Sequence, residues 1–233
     1  MFRKLLALTV LILPGLAAAA PHEAEARKAR SIAHLEQIGV PVLDSLPVIE
    51  TVKTSTRRST PEVADRLLSL AIVAVKGETG DPALGDALTE QFKAKGLFSP
   101  NEQAFMDDTA PDMHSRTQFA WRYEGVAVLL WALSIYDDLP PPTEICDVPR
   151  LAETLRALGP DGLRRKARLR PQAELLDAAD LIYRTNWAVV QAHLDGTAPP
   201  AGLDPGVVYE RHYVLNWLIG YGGQAWDDIS TDT

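Results

Sequence analysis

The chain has 233 residues, of which 46% are hydrophobic and 23% charged, as in ordinary globular proteins and unlike disordered ones. This length is near the upper end for one domain, and no change in composition along the chain indicates a second domain. The formal net charge of −8 at pH 7 opposes binding to polyanions, so nucleic acid is excluded as an expected partner.

The first residues follow the pattern of a bacterial-type export signal. Arg3 and Lys4 provide the positive start, residues 5–16 form a short apolar stretch, and residues 17–20 are all alanine. We place the cleavage after Ala19 rather than one residue later, because a proline directly after the cut would make a poor substrate. The sequence therefore predicts a signal peptide over residues 1–19 and one mature domain over residues 20–233.

A retained membrane anchor is the alternative interpretation of this segment. Spanning a bilayer takes about 20 apolar residues, whereas this apolar run is shorter and is interrupted by Pro14 and Gly15. Further along the chain, residues 126–133 are strongly apolar but too short to cross a membrane. We therefore expect a periplasmic or secreted protein that is not membrane-spanning once its signal is removed.

Helix signals dominate the mature sequence. Thr60 followed by Pro61 is a typical helix start, because a hydroxyl can cap free amides and proline is favoured at the first helical position. Ser99 and Glu102 have the spacing of a capping box, and glycines such as Gly77 provide stops. These signals predict helices over residues 23–37, 61–77, 82–96, from residue 100, and over 115–136, 147–158, 171–194 and 205–219.

Strand signals are missing from the sequence. No segment shows the two-residue alternation of a half-buried strand, and no turn dipeptide lies between two such segments. The second half of the helix predicted over 115–136 is apolar on nearly all sides, which is typical of a helix at the centre of a bundle. We therefore predict an all-α fold, namely a single irregular helical bundle of about eight helices.

Catalytic and metal-binding motifs are also missing from the sequence. It contains no H-E-x-x-H or G-x-S-x-G motif and no phosphate-binding loop, and its five histidines have no ligand-like spacing. Cys146 is the only cysteine, so no intramolecular disulfide can form, and we interpret it as a half-buried thiol. The sequence therefore predicts no catalytic residue, no metal site and no cofactor.

Several charged residues are expected near the core. Arg211 falls in the middle of the apolar face when helix 205–219 is drawn at about 100° per residue. A buried, unpaired guanidinium is costly, so Arg211 should have an acidic partner or reach a polar pocket. Arg122 and Glu124 directly precede the apolar half of the central helix. Such groups either pair as a structural network, which we prefer, or line a ligand pocket.

Helix 171–194 contributes further polar groups. Asp180 and Arg184 are four residues apart and are interpreted as a solvated salt bridge, whereas Asn186 and His193 fall on the apolar face. Acidic doublets such as 227–228 could bind a hard cation, but they occur often by chance. The candidate ligand-binding or buried polar cluster therefore consists of Arg122, Glu124, Asp180, Arg184, Glu210, Arg211, Asn216 and Asp227.

Several strings of residues, in this order along the chain, carry a family resemblance. They are Trp121-Arg122-Tyr123-Glu124, Leu130-Trp131-Ala132-Leu133, Asp180-Leu181-Ile182-Tyr183-Arg184, Glu210-Arg211-His212-Tyr213 and Trp226-Asp227-Asp228. Together they resemble the bacterial family named domain of unknown function 4272, over about residues 28–233. The resemblance implies an all-helical single domain and brings no activity and no catalytic residues.

Three functions are open on these observations. The first, which we prefer, is a non-catalytic exported binding or interaction protein of the bacterial cell envelope, with an unknown protein as partner. The second is a carboxylate- or metal-assisted hydrolase with a polar site around Arg211. The third is a binder of a small anionic ligand held by Arg211 or Arg122. A structure separates them by showing whether Arg211 and Glu124 meet each other or open into a cleft.

Overall fold

Nine α-helical segments follow one another over residues 22–233, the part of the chain that a computed structural model describes. The predicted signal peptide over residues 1–19 and its cleavage site lie outside the described residues. No strand occurs in the described range, so the predicted all-α fold is confirmed. The helices are α1 (Glu23–Gln37), α2 (Thr60–Thr79), α3 (Pro82–Gln91), α4 (Pro100–Asp107), α5 (Met113–Ala120), α6 (Arg122–Ala132), α7 (Val148–Lys166), α8 (Gln172–Leu194) and α9 (Pro205–Ile219).

Local capping explains where several helices begin. At α2, the Ser59 hydroxyl accepts from the Glu62 amide and the Glu62 carboxylate accepts from the Ser59 amide, one residue before the predicted cap at Thr60. The capping box predicted for Ser99 and Glu102 is present at the start of α4. These reciprocal bonds satisfy amides that the helix itself leaves free, and the sequence therefore locates both starts to within a residue.

The centre of the bundle is formed by α2, α6 and α9, with α8 packed along α9. All of α6 from Glu124 to Ala132 is buried, as its apolar sequence predicted. Around this centre, α1 packs on α8, α3 and α4 pack on α2, and α7 contacts α2 and α6. No helix within residues 22–233 is both long enough and apolar enough to cross a membrane.

Three helices differ by more than two residues from their predicted extents. The helix predicted over 82–96 ends at Gln91 as α3. The helix predicted over 115–136 is divided at Trp121 into α5 and α6, and α6 ends before Ser134, which has a left-handed φ of 55°. The helix predicted over 147–158 extends to Lys166 as α7, although its backbone breaks at Gly159 with a φ of 59° and a ψ of 175°. The predicted stop at this glycine is therefore correct for the backbone, and a second short helical stretch follows it.

Candidate functional site

Arg211 on α9 and Glu124 on α6 face each other inside the bundle. Arg211 Nε lies 3.5 Å from Glu124 Oε2, and the two side chains are 4% and 3% exposed. Of the two alternatives that the sequence leaves open for Arg211, an acidic partner or a polar pocket, the acidic partner is therefore present. Burial lowers the pKa of Arg211, while the negative charge of Glu124 opposes this change. The attraction between the two charges offsets part of the cost of taking both out of water.

One further nitrogen of Arg211 and the second carboxylate oxygen of Glu124 bind the loop between α6 and α7, residues 133–147. Arg211 Nη1 donates to the carbonyl oxygen of Pro140, and Glu124 Oε1 accepts from the amide of Cys146. The three prolines at 140–142 have no N–H to donate. The carbonyl oxygens of the last two accept from the backbone amides of Thr143 and Asp204, each at 2.9 Å, whereas that of Pro140 takes its donor from the Arg211 side chain. The Arg211–Glu124 pair therefore joins the loop to the core.

A second pair links α6 and α9 next to the first. Arg122 Nη1 donates to Glu210 Oε2 at 2.9 Å. Burial raises the pKa of Glu210, and the positive charge of Arg122 opposes this. Asp227 has a different role, because it accepts from the Ser99 hydroxyl at 2.6 Å and the Asn101 amide at 2.9 Å. It thus joins the residues after α9 to the start of α4. Each of these acids already has a partner within the protein.

Asp180 and Arg184 on α8 form a buried ion pair, so their interpretation as a solvated salt bridge is wrong. The two side chains are 0% and 1% exposed, and the guanidinium binds both carboxylate oxygens at 3.0 and 2.8 Å. They are buried because the segment between α1 and α2 crosses this face of α8, where Arg184 Nη2 donates to the carbonyl oxygen of Pro47 at 3.0 Å. Helical spacing predicted the pair, but this covering segment was not visible in the spacing.

Residues 47–50 of the same segment form one wall of a cavity of about 500 Å³, which we call the His212 pocket. Its volume is in the range of small-molecule sites. The other walls come from α8, from α9 and from the residues that follow α9, and they include Tyr183, His212, Asn216, Ile219, Tyr221 and Asp232. Three parts of the chain that are distant in sequence therefore meet at one cavity.

His212 supplies a hydrogen-bond donor that has no acceptor in the part of the chain that the structure describes. Its ring is 1% exposed, and burial lowers the pKa of His212 to about 4, so the ring is neutral at pH 7. Its Nε2 lies 3.1 Å from Asn216 Nδ2, which also donates to the carbonyl oxygen of Ser230 at 2.8 Å. Since a carbonyl oxygen only accepts, Asn216 must present its amide nitrogen here, and Nε2 of the histidine must accept. The proton is therefore on Nδ1, which has no partner among residues 22–233.

Glu50 supplies an acceptor for which residues 22–233 provide no donor. Its Oε2 is buried and makes no hydrogen bond within the described part of the chain. The main chain at this position is held in place, because the Glu50 carbonyl oxygen accepts from Arg27 Nη1 at 2.9 Å. Arg27 in turn is paired with Glu23 and Asp177. Leaving a buried polar group unpaired costs about 1–3 kcal/mol, so the pocket combines two features that most protein interiors avoid.

The residues after α9 return across the bundle and complete the pocket. Asn186 on α8 is buried, as predicted, and donates to the carbonyl oxygen of Thr231 at 3.1 Å, alongside the bond from Asn216 to Ser230. Asp232 accepts from the Ser230 hydroxyl at 2.5 Å and from the Tyr221 hydroxyl at 3.4 Å. The bond from Ser230 lowers the pKa of Asp232. A second carboxylate is thereby placed at the edge of the cavity.

The predicted polar residues do not form one cluster. Four of them form the two neighbouring pairs between α6 and α9, two form the pair on α8, and Asp227 binds the start of α4. In the described structure, Asn216 is the member of that set that lines the His212 pocket. His193, predicted on the apolar face of α8, is exposed. Sequence reasoning missed His212, Glu50, Tyr183, Tyr221 and Asp232 as a group.

One signal in the sequence could have identified part of this group. α9 is apolar or aromatic at most positions, yet His212 and Asn216 are four residues apart and so share a face. Two polar side chains on a helix with no polar side need partners, as Arg211 does. The contribution of Glu50 had no such signal, because it lies outside the helices.

Cys146 and the acidic residues show no arrangement typical of a reactive centre. Cys146 is half-buried beside Glu124, and burial together with that negative charge raises the pKa of its thiol. Within residues 22–233, no group of three or more histidine, cysteine, aspartate or glutamate side chains is placed so that it could hold a metal ion. The hydrogen-bonding groups of the His212 pocket are thus the chemistry that most needs an explanation.

Comparison with known proteins identifies a family without an activity. The sequence matches the family described as Domain of unknown function (DUF4272) over residues 27–229, nearly the whole chain. No curated protein and no solved structure matches it. Function must therefore be argued from the site itself.

Proposed function

This chain belongs to the DUF4272 family, and for this member we propose an exported, non-catalytic binding protein whose small polar ligand occupies the His212 pocket. The observation that carries the proposal is the Nδ1–H of His212, a residue that lines the cavity: this donor is buried and has no acceptor within residues 22–233. A ligand that supplies an acceptor there, and a donor for Glu50, would satisfy two groups that the protein alone leaves unpaired.

The state of His212 supports binding over acid–base catalysis. A general base needs a free lone pair and a pKa near the working pH. The lone pair of Nε2 accepts from Asn216, and the low pKa keeps the ring neutral. The ring is therefore prepared to donate one hydrogen bond rather than to take up a proton.

The hydrolase alternative around Arg211 receives less support. Glu124, Asp180, Glu210 and Asp227 were its candidate acids, and each has its own protein partner. The anionic-ligand alternative relied on Arg211 or Arg122, whose guanidinium groups bind Pro140 and Glu210. Binding elsewhere, in the His212 pocket, leaves all these contacts intact.

Ligand-induced stabilisation tests the binding function. A library of small polar metabolites should contain members that raise the melting temperature, since a ligand at one hundred times its Kd adds about 2.7 kcal/mol, or roughly 5–10 °C for a domain of this size. His212→Phe should abolish the shift. Glu36→Gln, a substitution of an exposed acid outside the pocket, should retain it. Shifts that survive His212→Phe would place the ligand elsewhere and refute the proposal.

Export is supported by the N-terminal pattern of positive, apolar and small residues. The family match begins at residue 27 and so leaves this pattern outside the shared domain. We expect protein from the cell envelope fraction to start at Ala20, with an intact mass that lacks residues 1–19. A mass that includes those residues would contradict cleavage.

A further inference from the structure

We infer that the ligand of the His212 pocket is a small organic cation that also carries a hydrogen-bond acceptor, such as an amine with a carbonyl oxygen. This inference rests on the proposed binding function and adds the charge class of the ligand. It follows from the charges that face the cavity, from the charges behind its walls and from the unpaired donor of His212.

The charges that face the cavity are negative. Glu50 and Asp232 contribute carboxylates, and no lysine or arginine is among the described residues that line it. One oxygen of Glu50 is buried without a donor within residues 22–233, and an ammonium or guanidinium group bound beside Glu50 would supply that donor. A charge-assisted hydrogen bond of this kind is stronger than one between neutral groups.

The cations behind the walls do not neutralise these carboxylates. Arg27 is bound to Glu23 and Asp177, Arg30 shares Asp177 at 2.7 Å, and Arg184 is bound to Asp180. These three arginines and three acids cancel one another. The net charge presented to a ligand is therefore that of Glu50 and Asp232.

His212 adds a donor without adding a positive charge. Its ring is neutral and its proton lies on Nδ1, as the bond from Asn216 requires. An imidazolium would repel a cationic ligand. A neutral imidazole does not repel it and can still donate a hydrogen bond to an oxygen of the ligand. The buried donor requires an acceptor on the ligand, and the carboxylates require a positive charge.

The remaining walls are suited to a ligand whose cationic group and hydrogen-bond acceptor are joined by a short apolar linker. Ile49 and Ile219 line the cavity together with the two tyrosines, and the volume of about 500 Å³ limits the ligand to a small molecule. An anion of the same size would instead approach two carboxylates with no cation to compensate, which disfavours it.

Probes that share a carbon skeleton but differ in charge test this inference. One such trio is 4-aminobutanamide, butanamide and succinamate, which are a cation, a neutral molecule and an anion that all carry the same amide. In ligand-observed NMR titrations of the full mature protein, across a panel of such trios, we expect the cationic member to bind at least about tenfold more tightly than its partners.

Variants of the pocket separate a failure of the charge inference from a failure of the proposed binding function. Glu50→Gln keeps the size of the side chain and should remove the preference for the cation, whereas Glu36→Gln should leave it unchanged. If a neutral or anionic member binds as tightly as the cation and His212→Phe abolishes that binding, the charge inference is wrong and the binding site stands. If no member binds, or binding survives His212→Phe, both the inference and the proposed function are wrong.

Discussion

Arg211 and His212 are neighbours on α9, and both are almost fully buried, yet their surroundings differ. Successive residues of a helix point about 100° apart, so Arg211 faces Glu124 on α6, whereas His212 faces α8, with its ring 6.0 Å from that of Tyr183. Arg211 has both an acidic partner and a carbonyl oxygen of the loop 133–147. His212 has one satisfied nitrogen and one unpaired N–H beside a cavity.

The comparison shows that burial alone does not identify a site. A buried charge whose partners come from the protein is explained by stability, since Arg211 pairs with Glu124 and supplies the donor for the Pro140 carbonyl oxygen of the loop. A buried donor without an acceptor costs stability and is not explained by the fold. Arg211 Nε and Glu124 Oε2 also make no hydrogen bond within residues 22–233, but they carry opposite charges and lie 3.5 Å apart. The absence of both a hydrogen-bond partner and an ion-pair partner for His212 Nδ1, rather than burial of a polar residue, therefore separates the two regions.

Replacing Arg211, which binds Glu124 and the loop 133–147, should have the largest effect on stability. Arg211→Met leaves Glu124 unpaired in the core, which costs roughly 3–5 kcal/mol of unfolding free energy, or roughly 6–20 °C in melting temperature. Differential scanning calorimetry measures this. The double variant Arg211→Met/Glu124→Gln should be more stable than the single one, because glutamine is uncharged and still accepts from Cys146.

An exposed ion pair provides the matched control for this loss. Arg30→Met removes an arginine that is 61% exposed and paired with Asp177, and should change stability by only about 0–1 kcal/mol. A shift of a degree or so for Arg211→Met would mean that water reaches the Arg211 site. The distinction between the two regions would then be lost.

The second-largest expected effect is on the pH dependence of stability, and it comes from His212. Burial lowers the pKa of His212 from 6.5 to about 4, so as the pH falls the unfolded chain binds a proton before the folded one. Stability is therefore lost between about pH 6.5 and pH 4, by about 3 kcal/mol for this group. Urea denaturation at several pH values should show this loss in the wild type and not in His212→Phe. Parallel curves for the two proteins would refute the buried neutral histidine.

At neutral pH, the same substitution should change stability little. His212→Phe removes an unpaired N–H but leaves one N–H of Asn216 without an acceptor, and these opposite effects of about 1–3 kcal/mol each nearly cancel. We expect a net change within about 1 kcal/mol by urea denaturation, together with loss of ligand binding. A loss as large as that of Arg211→Met would show that His212 is structural and would remove the contrast.

The smallest expected signal concerns Cys146 beside the loop-binding pair. Burial and Glu124 raise the pKa of its thiol, and only the thiolate reacts readily. Alkylation by iodoacetamide at pH 7.5, followed by mass spectrometry, should be much slower in the folded protein than in urea, and faster in Glu124→Gln than in the wild type. Equal rates for folded and unfolded protein would show that the loop does not shield this residue.

Much of the fold could be predicted because its signals are local. Prolines, capping hydroxyls and glycines act over a few residues, so Thr60 and Pro61 located the start of α2 to within one residue, and Ser99 and Glu102 located that of α4. The apolar composition of α6 predicted its central position. The division at Trp121 was not predictable in this way, because no proline or glycine marks it.

By itself, the sequence determined an all-α chain and the requirement that Arg211 have an acidic partner or reach a polar pocket, because helical periodicity and the cost of a buried charge are independent of the rest of the fold. Tertiary structure alone decided which acid that partner is, and that Asp180 and Arg184 are covered by residues near Pro47. It also decided that Glu50, His212 and Asp232 meet at one cavity. These groups come from a loop, a helix and the segment after α9, and no short-range pattern links residues so far apart in the chain.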